Sequence, residues 1–338
     1  MECVKPDSFN LISWEIDTTG RLLCDEIFRI SMLFNNYKFD VFIMPHRDIS
    51  LFSARRYQVC TSTSGLYRFL CKRPSGKILR SKTEYFGLED FLNWLEKYSQ
   101  KPIVLMFYEP YEFSPYILLQ ALERYGMLKR FKELVHGFAH VYAFVKKKCK
   151  KSMSSLAIRP LTKVLLNKND VKCYDSYNRS KLIYEILLHL CDGDSANPAE
   201  VLNTELKPYI KSVDEIEKEL ISRKNRIDLQ ISLKPIFSPY LKLGDSRRKV
   251  LMLRSYLTRE NVDYNVLKSL WEKGKDAFKG ELLEMLKSAG EEAKKEIIAI
   301  LVYHFDCTSD TQQTSANAEN SSPPVKIDEL VKKLSIED

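Results

Sequence analysis

Long apolar runs are missing from this 338-residue chain. The longest, Ile297 to Tyr303, falls far short of the ~20 residues that span a bilayer, so no membrane-spanning helix and no membrane partner are expected. Met1 to Asn10 has no basic stretch followed by an apolar one, so no signal peptide is expected. Paired cysteine spacing is missing too: of eight cysteines, no two stand as CxxC. Reduced thiols in the cytosol or nucleus are then the expected state. Cys60 and Cys71 with His46 fit no zinc-finger spacing, and they read as small buried hydrophobes rather than ligands. There is no internal repeat, no RNP1-like aromatic platform and no GxxG loop of the KH type. What is there is an ordinary globular balance, 44% hydrophobic and 29% charged, which excludes collagen-like, disordered and disulfide-scaffold classes for most of the chain. The length is a soft prior for about two domains with a sizeable core. Lys and Arg number 53 against 45 Asp and Glu, a formal +8 that mildly favours anionic partners such as nucleic acid.

The first third reads as strands. Asn10 to Asp17, Glu26 to Phe34 and Lys38 to Met44 are separated by Thr18-Thr19-Gly20 and Asn35-Asn36, which predicts an antiparallel meander. The period then changes: Leu88, Phe91, Leu92 and Leu95 recur at helical spacing. Pro102 to Tyr108 is nearly all apolar, as a buried central strand is. Tyr116 to Tyr125 follows as a helix, with Ser114 as N-cap and Pro115 at its first position. Leu156 to Leu166 and Lys181 to Leu190 are further helices, which makes an α/β layer pattern. The breaker-rich stretch Cys191 to Pro198 predicts a domain boundary, with residues 1–192 before it. After it Val201, Leu206, Ile210, Val213, Ile216 and Leu220 keep helical spacing, and residues 193–305 read as a small all-helical domain. Thr308 to Pro324 is expected to be disordered within a tail, 306–338, whose end, Val325 to Leu334, is a short amphipathic stretch.

The informative segment is Glu15-Ile16-Asp17-Thr18-Thr19-Gly20 with Asp25-Glu26-Ile27 downstream. Over about residues 10 to 190 it resembles the DEDD family of 3′–5′ exonucleases, whose first motif reads Asp-x-Glu-Thr-(Thr/Ser)-Gly. That resemblance implies an RNase H-like fold, a mixed sheet flanked by helices. It also implies two divalent metals on four carboxylates, which clamp the attacking and leaving oxygens of a phosphodiester. The departures decide more than the match. Glu15 stands where the motif has Asp, and Asp17 where it has Glu. Each exchange moves a carboxylate by about 1.5 Å, and Mg²⁺ tolerates little departure from octahedral ligands at about 2.0–2.1 Å. Phe113 or Ser114 takes the place of the second-motif Asp. Tyr174 takes the third motif's His place and Arg179 its Asp place, where a cation opposes metal binding. The resemblance therefore implies a degenerate site of Glu15, Asp17, Phe113, Ser114, Tyr174 and Arg179, with no metal, no cofactor and no catalytic residue. The bland reading of Glu15 and Asp17 is a satisfied polar pair at a strand end.

Over about residues 10 to 305 the chain resembles the Exuperantia family of insect maternal-mRNA localisation proteins. The resemblance rests on residues 15–21, on Asp90-Phe91-Leu92-Asn93-Trp94-Leu95-Glu96 and on Leu267 to Trp271. It implies a pseudo-exonuclease domain used for homodimerisation and a SAM-like helical domain that contributes to RNA binding. The expected role is an RNA adaptor in cytoplasmic ribonucleoprotein particles during oogenesis, holding an mRNA by untranslated-region structure beside other ribonucleoprotein proteins. Among the basic clusters, Arg247, Arg248 and Lys249 with Arg254 and Arg259 are the expected RNA contacts, with Val250, Leu253 and Leu257 facing inward. Lys146, Lys147, Lys148, Lys150 and Lys151 come second, and the expected loop Lys72 to Lys82 third; each alone also reads as a solvated charged face. Two rivals stand beside this reading. One is an active exonuclease using Glu15 and Asp17 with Glu112, and the other is a protein-only scaffold.

Overall fold

The structure, a computed structural model, describes residues 8–191, 197–241 and 247–313. They fall into two compact units, one up to Lys218 and one from Glu219 on. In the first, β1 (Asn10–Thr18), β2 (Ile27–Phe34) and β3 (Tyr37–Ile43) form the expected antiparallel meander. Asn35 makes the tight β2–β3 turn with φ 52°, a left-handed conformation that Asn tolerates better than most residues. α1 (Leu51–Tyr57) begins at Ser50, whose hydroxyl accepts from the Ser53 N–H. Next come β4 (Val59–Ser64), β5 (Tyr67–Lys72) and β6 (Ile78–Leu79), a separate three-stranded sheet. Within the segment expected as an exposed loop, Lys72 to Lys82, residues 73–77 are an exposed turn between β5 and β6, while its far end forms β7 (Ser81–Lys82), which pairs with β3.

α2 (Glu84–Glu96) buries Leu88, Phe91, Leu92 and Leu95. β8 (Ile103–Phe107) is buried at every residue and lies parallel to β1, as its unbroken apolar run predicts. α3 (Ser114–Arg124), α4 (Leu128–Leu134) and β9 (Val135–His140) follow, with β9 parallel to β8. α5 (Val141–Cys149), α6 (Ile158–Leu166), α7 (Ser176–Cys191), α8 (Pro198–Leu206) and β10 (Ile210–Ser212) complete the unit. The main sheet runs β10-β9-β8-β1-β2-β3-β7, the expected mixed sheet flanked by helices.

The boundary expected after Asp192 lies too early. The Asn203 amide donates to the Phe9 carbonyl (2.7 Å) and accepts from the Phe9 N–H (3.0 Å). Leu202 and Leu206 are buried in one core with Ile186 and Leu187. β10 then joins the sheet edge beside β9, across from Gly137, where a Cβ would lie 2.2 Å from the Lys211 carbonyl oxygen. The helical spacing from Val201 to Leu220 does not continue through this stretch. Pro208 lacks an N–H, and the chain passes from α8 through one short turn into β10. The breaker-rich stretch joins two helices of one unit.

α9 (Val213–Ser232) carries the chain across the division between the units. α10 (Lys234–Leu241), α11 (Arg247–Arg259), α12 (Tyr264–Trp271), α13 (Lys275–Met285) and α14 (Glu291–Gln313) build the expected helical domain. Its core joins Val250, Leu253, Leu257, Leu267, Leu282 and Ile297. α14 runs into the segment expected to be disordered; the rest of that segment and the amphipathic stretch Val325 to Leu334 lie outside the described residues. Among the described residues no helix is long and apolar enough to cross a membrane.

If residues 198–212 belong to the first unit, Leu206→Ala should destabilise that unit by about 2–5 kcal/mol. Segment-resolved hydrogen exchange should show faster exchange in β8 and β9 and unchanged rates in α11 to α14. Unchanged β9 protection would restore the earlier boundary.

Candidate functional site

The turn after β1 keeps the shape that the motif predicts. The Thr19 hydroxyl donates to Asp25 Oδ1 (3.0 Å) and accepts from the Glu26 N–H (3.0 Å). Asp25 Oδ2 also accepts from the Leu22 N–H at 2.6 Å. Gly20 makes room for that carboxylate: a Cβ there would come within 2.4 Å of it.

Side chains two residues apart on a strand share a face, so Glu15 and Asp17 point the same way from β1. They meet the guanidinium of Arg179 on α7. Its Nε donates to Glu15 Oε2 at 3.1 Å and its Nη2 to Asp17 Oδ1 at 2.5 Å. Its Nη1 takes the Cys173 carbonyl at 3.2 Å, and the guanidinium carbon lies 5.2 Å from the Tyr57 ring centroid. Arg179 is 3% exposed, Asp17 0% and Glu15 9%. Ser176, one turn before Arg179, donates to Asp17 Oδ2 (3.1 Å) and pairs with the Ser31 hydroxyl (3.0 Å). Burial pushes the Glu15 carboxyl up to about 7 against the opposing charge of Arg179; Glu109 and Asp17 push it the same way as burial. Burial works against the charge on Arg179, but Asp17 and Glu15 outweigh it and raise its pKa.

A second ion-paired group adjoins the first. Arg29 on β2 holds Asp40 on β3 through two bonds, 2.8 and 2.9 Å, and reaches Asp175 at 3.1 Å just before α7. Burial raises the Asp40 pKa, but the bonds and charge of Arg29 prevail and hold its carboxyl below the ordinary range.

Ser114 is the first residue of α3 and not its N-cap; Phe113 holds the cap position without a side-chain bond. Glu109 does the capping, accepting from the N–H groups of Phe113 (3.2 Å) and Ser114 (3.0 Å) and from the Ser114 hydroxyl (2.5 Å). With Asp17 it is one of two carboxylates whose charge Glu15 feels, and sequence reasoning missed it. Glu112, the third ligand of the exonuclease rival, is tied elsewhere, to Lys211 (2.8 Å) and the Tyr116 hydroxyl (3.2 Å). Tyr174 lies with its ring 5.9 Å from Lys72 Nζ, away from the carboxylates' hydrogen bonds.

A pair of divalent ions does not fit this donor set. Both carboxylates of the first motif are engaged by a guanidinium, which occupies the space between them. Among the described residues no group of three His, Cys, Asp or Glu is arranged to hold a metal. Cys60 and Cys71 face each other across β4 and β5 with sulfurs 3.3 Å apart.

The family model for the Exuperantia RNAse H-like domain matches residues 9–165, and the model for the Exuperantia SAM-like domain matches residues 234–304. The chain belongs to the Exuperantia family. Maternal protein exuperantia-1 of Drosophila pseudoobscura pseudoobscura is 27% identical over 368 residues, covering 95% of this chain and 74% of that protein. Maternal protein exuperantia of Drosophila virilis is 28% identical over 338 residues, 88% of this chain and 69% of that protein. The Drosophila melanogaster protein of the same name is 25% identical over 367 residues, 88% of this chain and 69% of that protein. In this Exuperantia chain the RNase H-like match stops before α7, the helix that brings in Arg179.

The five basic positions of the SAM-like domain separate in space along α11. Arg247 and Arg248 are exposed in its first turn. Lys249 pairs with Glu296 of α14 at 2.6 Å. Arg254 is half-buried, its Nε has no partner among the described residues, and burial lowers its pKa. Arg259 is exposed at the far end, 5.4 Å from the Tyr256 ring centroid. In the lysine cluster, Lys148 is paired with Glu205 at 2.7 Å, while Lys146, Lys147, Lys150 and Lys151 are exposed around the C-terminus of α5. Cations there complement the helix dipole.

Two outcomes follow for stability. Arg179→Met, which leaves two buried carboxylates without a counter-charge, should lower unfolding free energy by about 3–5 kcal/mol in urea titrations. The same change beside Glu15→Gln and Asp17→Asn should cost far less. Glu15 is raised from 4.5 to about 7, so its contribution to stability is present below 4.5 and is lost as pH rises through about 7. Glu15→Gln should therefore flatten the stability profile between about pH 5 and 8 and make the protein more stable than its parent at the upper end. A variant less stable than its parent at the upper end would show that the ionised carboxylate is a net gain.

Proposed function

We propose that this chain is a non-enzymatic, homodimeric RNA-binding adaptor for mRNA localisation in cytoplasmic ribonucleoprotein particles, with other ribonucleoprotein proteins as partners. The observation that carries the non-enzymatic half is the Arg179 guanidinium seated on Glu15 and Asp17. Phosphodiester hydrolysis on this fold needs divalent ions at both the attacking and the leaving oxygen. A buried guanidinium with its donors spent on protein acceptors supplies neither.

RNA binding through the SAM-like domain is supported by the exposed pair Arg247 and Arg248 and by the exposed Arg259 on the same helix. Without a stacking platform, recognition is through backbone and shape. Dimerisation through the first unit is supported by its exposed apolar side chains, Leu22, Leu51, Phe52, Tyr85 and Phe86. A dimer joins two weak RNA sites, and joined sites raise avidity by about 10²–10⁴.

The test is a filter-binding salt titration. Arg247→Ser with Arg248→Ser should weaken RNA of any sequence and lower the slope of log affinity against log salt by about 0.7 for each phosphate no longer neutralised. Melting temperature should hardly move, because exposed arginines contribute little to folding. An unchanged slope at full affinity removes α11 from the interface, and a parent protein that binds no RNA leaves the scaffold reading. In parallel, labelled RNA with Mg²⁺ or Mn²⁺ should release no mononucleotides, either from the parent or from Glu15→Asp with Asp17→Glu. Release by either would restore the exonuclease.

A further inference from the structure

The small sheet of β4, β5 and β6 sets two cysteines against each other. Its register is fixed at the hairpin, where Ser64 stands opposite Tyr67 and Gly65 and Leu66 form the loop. Gly65, with φ 57°, holds the first loop position, where two-residue hairpins favour glycine. From that turn the ladder brings Cys60 of β4 directly opposite Cys71 of β5. Beyond the pair, the Arg73 N–H donates to the Gln58 carbonyl at 2.8 Å, so the ladder continues on both sides of it. A slip of one residue would turn the two side chains to opposite faces. Directly opposed residues have Cα atoms about 4.5–5.5 Å apart. That lies within the roughly 4.4–6.8 Å that a disulfide spans. The sulfurs are 3.3 Å apart, against about 2.05 Å in the bond. Side-chain rotation closes that gap, since the strand spacing already fits.

The two thiols are not equivalent. Cys60 is half-buried and Cys71 is 8% exposed. Burial pushes the Cys71 thiol up, and Cys60 beside it pushes the same way, against the weaker pull of Arg73. A reagent from solvent therefore meets Cys60 first, and Cys71 stands beside it as the thiol that resolves the product. Lys72, Arg73 and Lys77 are exposed on the chain just after Cys71, and their charge favours an anionic reagent. The other thiols have different company. Cys24 is exposed and accepts from Arg47 Nη1 at 3.2 Å, and Cys191 donates to Glu205 at 3.5 Å. Neither has a sulfur within bonding distance among the described residues.

We propose that Cys60 and Cys71 form a reversible thiol–disulfide pair whose oxidant is a small anionic disulfide of the glutathione class. The Cys60 thiolate attacks one sulfur of that reagent. A mixed disulfide forms on Cys60, and one glutathione leaves as its thiolate. The Cys71 sulfur then attacks the Cys60 sulfur, and the second glutathione leaves. Two electrons pass from the cysteine sulfurs to the reagent, and the two thiol protons end on the two released glutathiones. Excess reduced glutathione runs the same steps backwards, so a reducing cytosol keeps the pair as thiols. The second step is intramolecular, and the high effective concentration of Cys71 favours the closed bond over the mixed disulfide. The bond ties β4 to β5 across a sheet whose third strand, β6, is two residues long. So small a sheet opens readily, and a covalent tie removes its open forms.

The experiment is mass spectrometry on the full chain held in glutathione buffers of rising oxidised fraction, then acid-quenched, alkylated and digested without reductant. The peptides that hold Cys60 and Cys71 should appear joined, lighter by two hydrogens than the two thiols. Half of the chain should be joined in a buffer about tenfold or more poorer in oxidised glutathione than the one that half-loads Cys24. Cys71→Ser should stop at one glutathione on Cys60. In Cys60→Ser, Cys71 should react about tenfold or more slowly than Cys60 does in the parent. Oxidation of the parent should slow hydrogen exchange about fivefold or more across β4 and β5, and dithiothreitol should reverse it. Exchange in α11 to α14 should not respond, nor should β4 and β5 of Cys71→Ser. Glutathione that stays on Cys60 of the parent while Cys71 remains open to alkylation overturns the pair. A link from either cysteine to a different one overturns it too. So does a Cys60–Cys71 link that forms as readily in urea, because nearness in sequence and not the sheet would then explain it. Joined cysteines with unchanged exchange overturn the tie between the strands.

Discussion

The guanidinium of Arg179 between Glu15 and Asp17 is the interaction around which the first unit is arranged. Two carboxylates on one face of a central strand repel each other and lose hydration on burial, so some counter-charge must meet them. In the exonuclease motif that this segment resembles, that charge is a pair of divalent ions. Here it arrives on α7, and it joins the helix to the sheet from within the chain. The helix comes close because small side chains line the seam: Ser13 donates to the Ser180 carbonyl, and Ser176 meets Ser31 and Asp17. The same solution recurs one strand over, where Arg29 joins Asp40 of β3 to Asp175 at the foot of α7. An ionic seam and a seam of serines together set the height of α7 on the sheet.

Much of this was legible in the residue pattern, and what was not has physical causes. β1, β2, β3 and β8 were visible because one or both faces are buried and the apolar positions repeat accordingly. The sheet of β4, β5 and β6 was hidden because little of it is buried, so its sequence reads as a polar, basic loop. The domain boundary was misplaced because a run of Gly, Asp, Ser and Pro marks a change of direction, whether or not a new core begins after it. At the degenerate site, Arg179 could be picked out by its place in the third motif; its burial and its grip on both carboxylates could not. Glu109 escaped because the motif seeks an acid in the first turn of α3. The structure draws its acid from five residues before Ser114, reaching forward to cap the helix. The signal was there, an acid shortly after a buried strand and just ahead of a Ser-Pro helix start.

A guanidinium and a divalent ion differ in what they leave available. A bound Mg²⁺ keeps coordination positions for water and for the phosphates of a substrate. Arg179 keeps little: its Nε, Nη1 and Nη2 each donate to protein oxygens, and its rear face meets Tyr57. A domain that exchanges metal for arginine therefore loses the phosphate attraction that came with the metal. Any hold on nucleic acid must then come from cations that are not already engaged. The formal charge of +8 does not locate them, because an ion-paired lysine counts as much as a free one. Pairing does locate them. Lys148 in the densest basic run and Lys249 in the favoured helix are each neutralised by a glutamate. Arg55, Arg56, Lys72, Arg73, Lys77 and Arg159 line one cleft beside Arg179, and none of the six has such a partner among the described residues. In a chain of nearly balanced charge, the field that a polyanion meets is set by where carboxylates are missing as much as by where lysines and arginines collect.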